Sequence, residues 1–299
     1  MTSFSVIIPH KNSPQLLQRC LDSIPQYDGL RIIVVDDNSD KNKVDFDKFP
    51  GLKRKDVEVV FAKEGKGAGY ARNVGLQHAR GEWILFADAD DYFTESFLLV
   101  LNEIDKCQDD VVFFKHLSVS SEDSSKIMNR CDELNVFVDL FFDNSHDGEL
   151  YLRRKWCVPW AKAIRKQLID DNKILFSESR YANDIFFSIQ VGLMAKSVNA
   201  LNYNAYVATV RNGSLSYDFC GTSEEVGVRL TEALKTDRFI EEKTNKVPSG
   251  LMKESDLILW YIYREKGRVY LWNCAKDCFS DTQVFLSIVW FLLKRSIKR

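Results

Sequence analysis

Two short acidic clusters carry the clearest chemistry in this chain: Asp88-Ala89-Asp90 with Asp91 beside it, and Asp36-Asp37-Asn38-Ser39-Asp40. Carboxylates at i and i+2 behind a strand can turn into one crevice and hold a hard divalent cation, Mn²⁺ or Mg²⁺, that keeps coordination positions open for phosphate oxygens. A helix N-cap accounts for one of them, Asp91 ahead of a helix beginning near Thr94 to Phe97, but not for three. In the second cluster an acid can accept from a base N–H or a ribose hydroxyl, or the stretch is a solvated turn rich in Asx hydrogen bonds. Gly65-Lys66-Gly67-Ala68-Gly69 opens a helix that carries Arg72, Asn73 and Gly75. Its glycines suit close backbone approach to a ligand or simply a flexible turn. The four histidines, at 10, 78, 116 and 146, lack metal-ligand spacing, there is no GxSxG, and no cysteine has an evident histidine partner. Acyl-transfer and thiol chemistry therefore have no support.

The elements that must position these residues are legible upstream of each. Apolar runs at Phe4–Ile8, Arg31–Val35, Val57–Phe61, Trp83–Phe86 and Val111–Phe114 alternate with amphipathic stretches at Leu16–Ile24 and Tyr70–Ala79. Nearly continuous apolar strands are what a parallel sheet covered on both faces requires, and the helices between them make the crossovers. In such sheets ligands lie at the carboxyl ends of the strands, where Pro9 to Asn12 and both acidic clusters fall. Further on, Trp156–Ile169 and Ala182–Ala195 read as helices, Ser118–Ser125 as a polar loop and Ala200–Val210 as a strand. From Thr222 the pattern is helical, with Pro248-Ser249-Gly250 as a breaker between Glu224–Lys243 and Leu251–Arg264.

The 299 residues carry 41 basic and 43 acidic side chains, a formal charge of −2, which argues against nucleic acid as a partner. Seven cysteines without a CxxC pair read as reduced packing residues. The reduced cysteines, with no export signal visible at the N-terminus, make the expectation a cytoplasmic protein. The longest apolar run, Val284–Leu293, is too short to span a bilayer. Phe285, Ile288, Val289, Leu292 and Leu293 fall near one helical face there, with Lys294, Arg295, Lys298 and Arg299 following. That stretch predicts peripheral contact with the inner face of a membrane, or a terminal helix docked on the domain.

Taken in order, Ser5–Pro9 with Asn12, Val34–Asp40, Gly67–Gly75 with Ala71-Arg72-Asn73, Ala79–Phe86 and Asp88–Asp91 resemble the inverting glycosyltransferases of family 2, which have the GT-A nucleotide-sugar fold. The likeness runs over about 90 residues. It extends more loosely to Trp160-Ala161-Lys162, Ile174-Leu175-Phe176, Asn183–Phe187 and Arg211–Ser216. The resemblance implies an α/β, Rossmann-like, mostly parallel sheet flanked by helices. Residues 1–115 would be the nucleotide-sugar-binding half, 116–221 the acceptor and base half of the same domain, and 222–299 a helical extension.

By position, the resemblance implies that Pro9, Lys11 and Gly67 line the nucleotide-sugar pocket, that Asp37 bonds a uracil-like base and that Asp88 meets the ribose. Asp90, with Asp88, would hold Mn²⁺ or Mg²⁺. Arg72 would contact the nucleotide or pair with a carboxylate, and Asp184 would be the catalytic base. Two departures stand out: Asn183-Asp184 replaces a pair of acids, and Lys11 replaces a common aromatic, a looser cover for a base. The implied activity is metal-dependent transfer of a sugar from a nucleoside diphosphate sugar to a hydroxyl of a glycan or lipid-linked oligosaccharide in cell-surface polysaccharide synthesis. The rivals are a nucleotidyltransferase, disfavoured by Pro9–Pro14 where a Gly-rich basic loop belongs, and a non-catalytic sugar-nucleotide-binding module.

Overall fold

A computed structural model describes residues 3–143, 146–211, 222–244 and 253–297. Strand β1 (Phe4–His10) is buried along its whole length, as its unbroken apolar run requires. It lies between β2 (Leu30–Asp37) and β4 (Trp83–Phe86), both parallel to it, and β3 (Val57–Ala62) adds in parallel outside β2. The crossovers are α1 (Pro14–Ser23), which buries Leu17, Cys20 and Leu21, and α2 (Ala68–His78). The order β3-β2-β1-β4 reverses direction at β1, so the ends of β1 and β4 open a crevice.

The sheet continues through β7 (Lys162–Arg165), antiparallel to both β4 and β6 (Val111–Ser120). It ends in β8 (Val198–Val210), parallel to β6, and the two-residue β5 (Tyr92–Phe93). The boundary drawn at 115 falls inside β6, so both halves share one sheet. Trp156–Ile169, expected as one helix, is instead an irregular turn, β7 and the short α6 (Lys166–Asn172). There Ala163 and Ile164 are buried between two neighbouring strands, and sheet pairing overrides the helical spacing. The loop expected from Ser118 also begins later, because β6 pairs with β8 as far as Ser120. The short β5 precedes α3 (Ser96–Ile104), which starts within the Thr94–Phe97 window expected for it and has Glu95 at its N-cap. The helices α4 (Glu133–Phe142) and α5 (His146–Lys155) were not anticipated, and α7 (Ile185–Met194) lies within the helix expected.

At the C-terminus, α8 (Ser223–Thr244), α9 (Glu254–Asp277) and α10 (Thr282–Ile297) share a second apolar core built on Val226, Leu230, Leu259, Ile262, Leu271, Val284 and Ile288. The breaker Pro248–Gly250 and the stretch Asn212–Ser216 lie outside the described residues. Of the α10 face expected to meet a membrane, Ile288 and Leu292 are buried with Val284 and Phe291, Phe285 and Val289 are half-buried, and Leu293 is exposed. The apolar spacing of this helix serves packing against its neighbours. Leu286, Trp290 and Leu293 are the exposed ones. Among the described residues no helix is long and apolar enough to cross a membrane.

Candidate functional site

At the end of β2, neighbouring carboxylates point to opposite faces of the strand and meet different fates. Asp36 pairs in register with His10 of β1 and accepts from His10 Nδ1 at 2.7 Å, from the Ser39 amide at 3.0 Å and from Ser39 Oγ at 2.5 Å. The Ser13 amide donates to His10 Nε2 at 3.1 Å, which leaves Nδ1 as the donor to Asp36. Burial pushes the Asp36 carboxyl up, but the bonds from His10 and Ser39 outweigh it and hold the group below the ordinary value. This cluster ties the ends of β1 and β2 together.

Asp37 is only 2% exposed. Its Oδ2 accepts from Lys11 Nζ at 3.1 Å and from the Gly67 amide at 2.9 Å. Its Oδ1 is buried with no partner, a costly state for a carboxylate oxygen unless a ligand N–H reaches it. Gly67 caps α2 at φ +98°, where a side chain would strain the backbone, and this geometry aims its N–H at Asp37. Pro9, Lys11, Asp37, Gly67 and Ala68 line a pocket of ≈ 570 Å³.

The second cluster divides in the same way. Oxygens of Asp88, Asp90 and Asp91 lie within 4.8 Å of one another. Asp91 is fully buried and accepts from Tyr206 Oη and the Thr209 amide, both at 2.7 Å. Burial and the charge of Asp90 push its carboxyl up to about 8. Asp91 is therefore a bridge to β8 and not a helix N-cap, the place that Glu95 takes at α3. Asp88 receives Arg72 Nη2 at 2.7 Å, while Arg72 Nη1 donates to Asn183 Oδ1 at 3.0 Å. The carboxylate pairing of Arg72 is thus the contact seen, and Asn183 takes up its second amino group. The Asp90 carboxylate has no hydrogen-bond partner on another described residue, and burial and Asp88 raise it above the ordinary range. An under-compensated carboxylate beside a second one is a donor set that fits a divalent cation.

Asp184 faces this pair across the cleft. It precedes α7 at the N-cap position but makes no capping hydrogen bond. Burial raises its carboxyl, against the opposing effect of Arg72. Phe176 and Phe187 bracket its loop, stacked on each other at 3.8 Å and both edge-on to Phe86 at the end of β4. Asn73 adds a two-point backbone grip on Phe176, at 2.9 and 3.0 Å. Asp88, Asp90, Arg72, Asn183 and Asp184 line one cleft of ≈ 420 Å³ that shares Pro9, Lys11 and Ala68 with the Asp37 pocket. The structure therefore brings Pro9, Lys11, Asp37, Gly67, Arg72, Asp88, Asp90 and Asp184 to two adjoining pockets. A larger cavity, ≈ 790 Å³, opens at the other end near Arg80, Asp110 and Arg165 and holds none of them.

Four arginines of the cleft, Arg130, Arg180, Arg211 and Arg229, were not anticipated in this role. Arg130 follows a polar stretch without periodicity and is returned to the site because Ile127 bridges back to Val119. Arg180 and Arg229 both lie 5.4 Å from the Tyr181 ring centroid. Lys162, fully buried on β7, has an amine without a hydrogen-bond partner, 6.0 Å from the Phe113 ring centroid, and burial lowers it to about 7.

The sequence model of the family described as Glycosyl transferase family 2 matches residues 5–172, from β1 through the end of α6. A poly(ribitol-phosphate) beta-glucosyltransferase of Bacillus spizizenii is 30% identical over 288 residues, covering 87% of this chain and 44% of its own length. This chain thus spans less than half of that relative. Among solved structures, Staphylococcus aureus TarS 1–349 in complex with UDP-GlcNAc aligns with TM-score 0.59 at 22% identity, over 92% of this chain and 81% of the other. The mannosyltransferase PcManGT of Pyrobaculum calidifontis, in complex with GDP-Man and Mn²⁺, aligns with TM-score 0.55 at 15% identity, over 98% and 86%. At such identities the two structures attest the fold, a mostly parallel sheet flanked by helices. Because the family's sequence model covers more than half of the chain, with both acidic clusters inside the match, this protein belongs to glycosyl transferase family 2.

Proposed function

We propose that the protein moves a sugar, with inversion, from a UDP-sugar to a hydroxyl of a cell-surface glycan polymer. The observation that carries this reading is a division of labour within one connected cleft. The unpartnered Oδ1 of buried Asp37 awaits an N–H donor such as a uracil ring, the Asp90 carboxylate is held above the ordinary range by burial and Asp88 despite Arg130 and Arg211, and Asp184 is a third carboxylate of the same cleft. Pro9, Lys11 and Gly67 would cover the base, and Asp88, steadied by Arg72, would meet the ribose. Asp90, with the remaining oxygen of Asp88, would hold Mn²⁺ or Mg²⁺, which supplies Lewis-acid stabilisation of the departing diphosphate. Asp184 takes the proton from the incoming hydroxyl, and its raised carboxyl suits that task, because a stronger base shares the proton better in the transition state.

Arg180 and Arg229 line the cleft that holds Asp184, and Arg180 also borders the Asp37 pocket. With the relative named for poly(ribitol-phosphate), they favour an acceptor that carries phosphate groups, lipid-linked or not. Residues 1–115 would then serve the donor, 116–221 the acceptor, and 222–299 would complete the wall, with the whole working on the cytoplasmic side. Peripheral membrane contact in this reading falls to the exposed stripe Leu286, Trp290 and Leu293 beside Lys294 and Arg295. Liposome co-sedimentation of wild type and Trp290→Ser tests it, and equal recovery would refute it. The central test is sugar transfer from UDP-sugars to a polyol-phosphate acceptor with Mn²⁺. We expect an inverted product that Asp184→Asn reduces by about 100-fold; normal turnover in that variant would overturn the assignment of the base.

A further inference from the structure

The C-terminal helices read as an appendage in the sequence, yet one face of α8 grips both flanks of Asp184. On the N-terminal flank, the Ser177 hydroxyl donates to Glu232 Oε2 at 2.6 Å and accepts from Lys235 Nζ at 3.1 Å, and the Ser177 amide donates to the Asn183 carbonyl at 3.2 Å. Ser177 and Glu232 are both 9% exposed, so this contact is shielded from water. On the C-terminal flank, the Lys235 ammonium lies 4.0 Å from the centroid of the Phe186 ring, and Phe239 packs edge-on to that ring at 5.5 Å. Positions 232, 235 and 239 form a single stripe of α8. The opposite side of the loop is set by α2, where a Cβ on Gly69 would stand 2.0 Å from the Ser177 carbonyl oxygen. Asp184 itself has no side-chain capping bond that would fix it. Its direction follows from where residues 177 and 186 are held.

We propose that Glu232 and Lys235 of α8 are positioning residues for Asp184, acting through Ser177 and Phe186. This rests on the reading of Asp184 as the base. A displacement of a proton acceptor by an ångström costs turnover far more than it costs donor affinity. The test compares Glu232→Ala, Glu232→Gln and Asp184→Asn for kcat of sugar transfer, for the Kd of UDP with Mn²⁺ and for Tm. We expect Glu232→Ala to lower kcat by about tenfold, with the Kd of UDP changed by less than about twofold. Glu232→Gln, whose amide oxygen still accepts from Ser177, should restore most of the rate. Ser177→Ala carries the same expectation should the alanine variant at 232 fail to fold. Unchanged kcat in Glu232→Ala or Ser177→Ala while Asp184→Asn is slow would overturn the positioning role alone. So would a parallel fall of kcat and UDP affinity, which marks general loosening. Full turnover in Asp184→Asn would instead remove the base, and the positioning role with it.

Discussion

The two acidic clusters are built alike, and each contains one carboxylate that holds the fold and one that is left for a ligand. At the end of β2, Asp36 is saturated by His10 and Ser39, whereas Asp37 keeps a buried oxygen without a partner. Beyond β4, Asp91 is saturated by Tyr206 and Thr209, whereas the Asp90 carboxylate makes no hydrogen bond to another described residue, and burial and Asp88 outweigh the charges of Arg130 and Arg211 on it. Adjacent aspartates of identical chemistry thus diverge through their partners. The difference teaches where binding energy is stored: a carboxylate buried without a partner raises the energy of the empty site, and a complementary ligand recovers that cost.

Substitutions within each pair should separate these roles. The largest effect is expected at Asp90: Asp90→Ala should cut metal-dependent transfer by about 1000-fold while Tm stays within a few degrees, read by activity with Mn²⁺ and by calorimetry. Asp91→Ala should do the reverse, lowering unfolding free energy by about 3 kcal/mol through the orphaned Tyr206 hydroxyl and Thr209 amide, as denaturant titration would show. If both variants lost activity with intact stability, the contrast would collapse. At the β2 end, Asp37→Asn should weaken UDP binding by about tenfold, whereas Asp36→Asn should first destabilise the fold.

The pH profile sharpens the account of Asp184. A carboxyl raised by burial is protonated at a higher pH than an ordinary one, and the protonated form cannot accept the proton of the acceptor hydroxyl. Turnover should therefore fall on the acid side at a pH above the ordinary aspartate value of about 4, and Asp184→Asn should abolish that limb along with most of the rate. The smallest effect concerns Lys162. Its folded-state value, lowered to about 7, lies below that of the unfolded chain, so folding costs more as pH falls toward 7, and the cost levels off below it. Lys162→Met should accordingly raise Tm by a few degrees near neutral pH and by less at alkaline pH; an unchanged or lower Tm would mean that the amine has a partner.

Much of this was legible because burial writes itself into sequence. Continuous apolar runs marked β1, β2 and β4, and ligand residues sit where such strands end. What failed depends on contacts distant in the chain. Asp36 and Asp37 cannot be told apart without His10, 26 residues earlier, nor Asp91 from Asp90 without Tyr206, 115 residues later. The strand β7 is four residues in a stretch whose apolar spacing suits a helix equally well, and only its neighbours β4 and β6 decide it. Arg130 lies in a polar stretch without periodicity, and the inward turn of α10 required knowledge of α8 and α9.

The central claim is that Asp37 and Asp90 are the carboxylates held ready for a nucleoside diphosphate and its cation. Titration calorimetry of UDP into wild type, Asp90→Asn and Asp37→Asn, each with and without Mn²⁺, tests it most directly. The account predicts that Mn²⁺ tightens UDP binding by about tenfold or more in wild type and in Asp37→Asn, whose affinity is lower throughout, and has no effect in Asp90→Asn. Equal enhancement by Mn²⁺ in wild type and Asp90→Asn, or unchanged UDP affinity in Asp37→Asn, would contradict it.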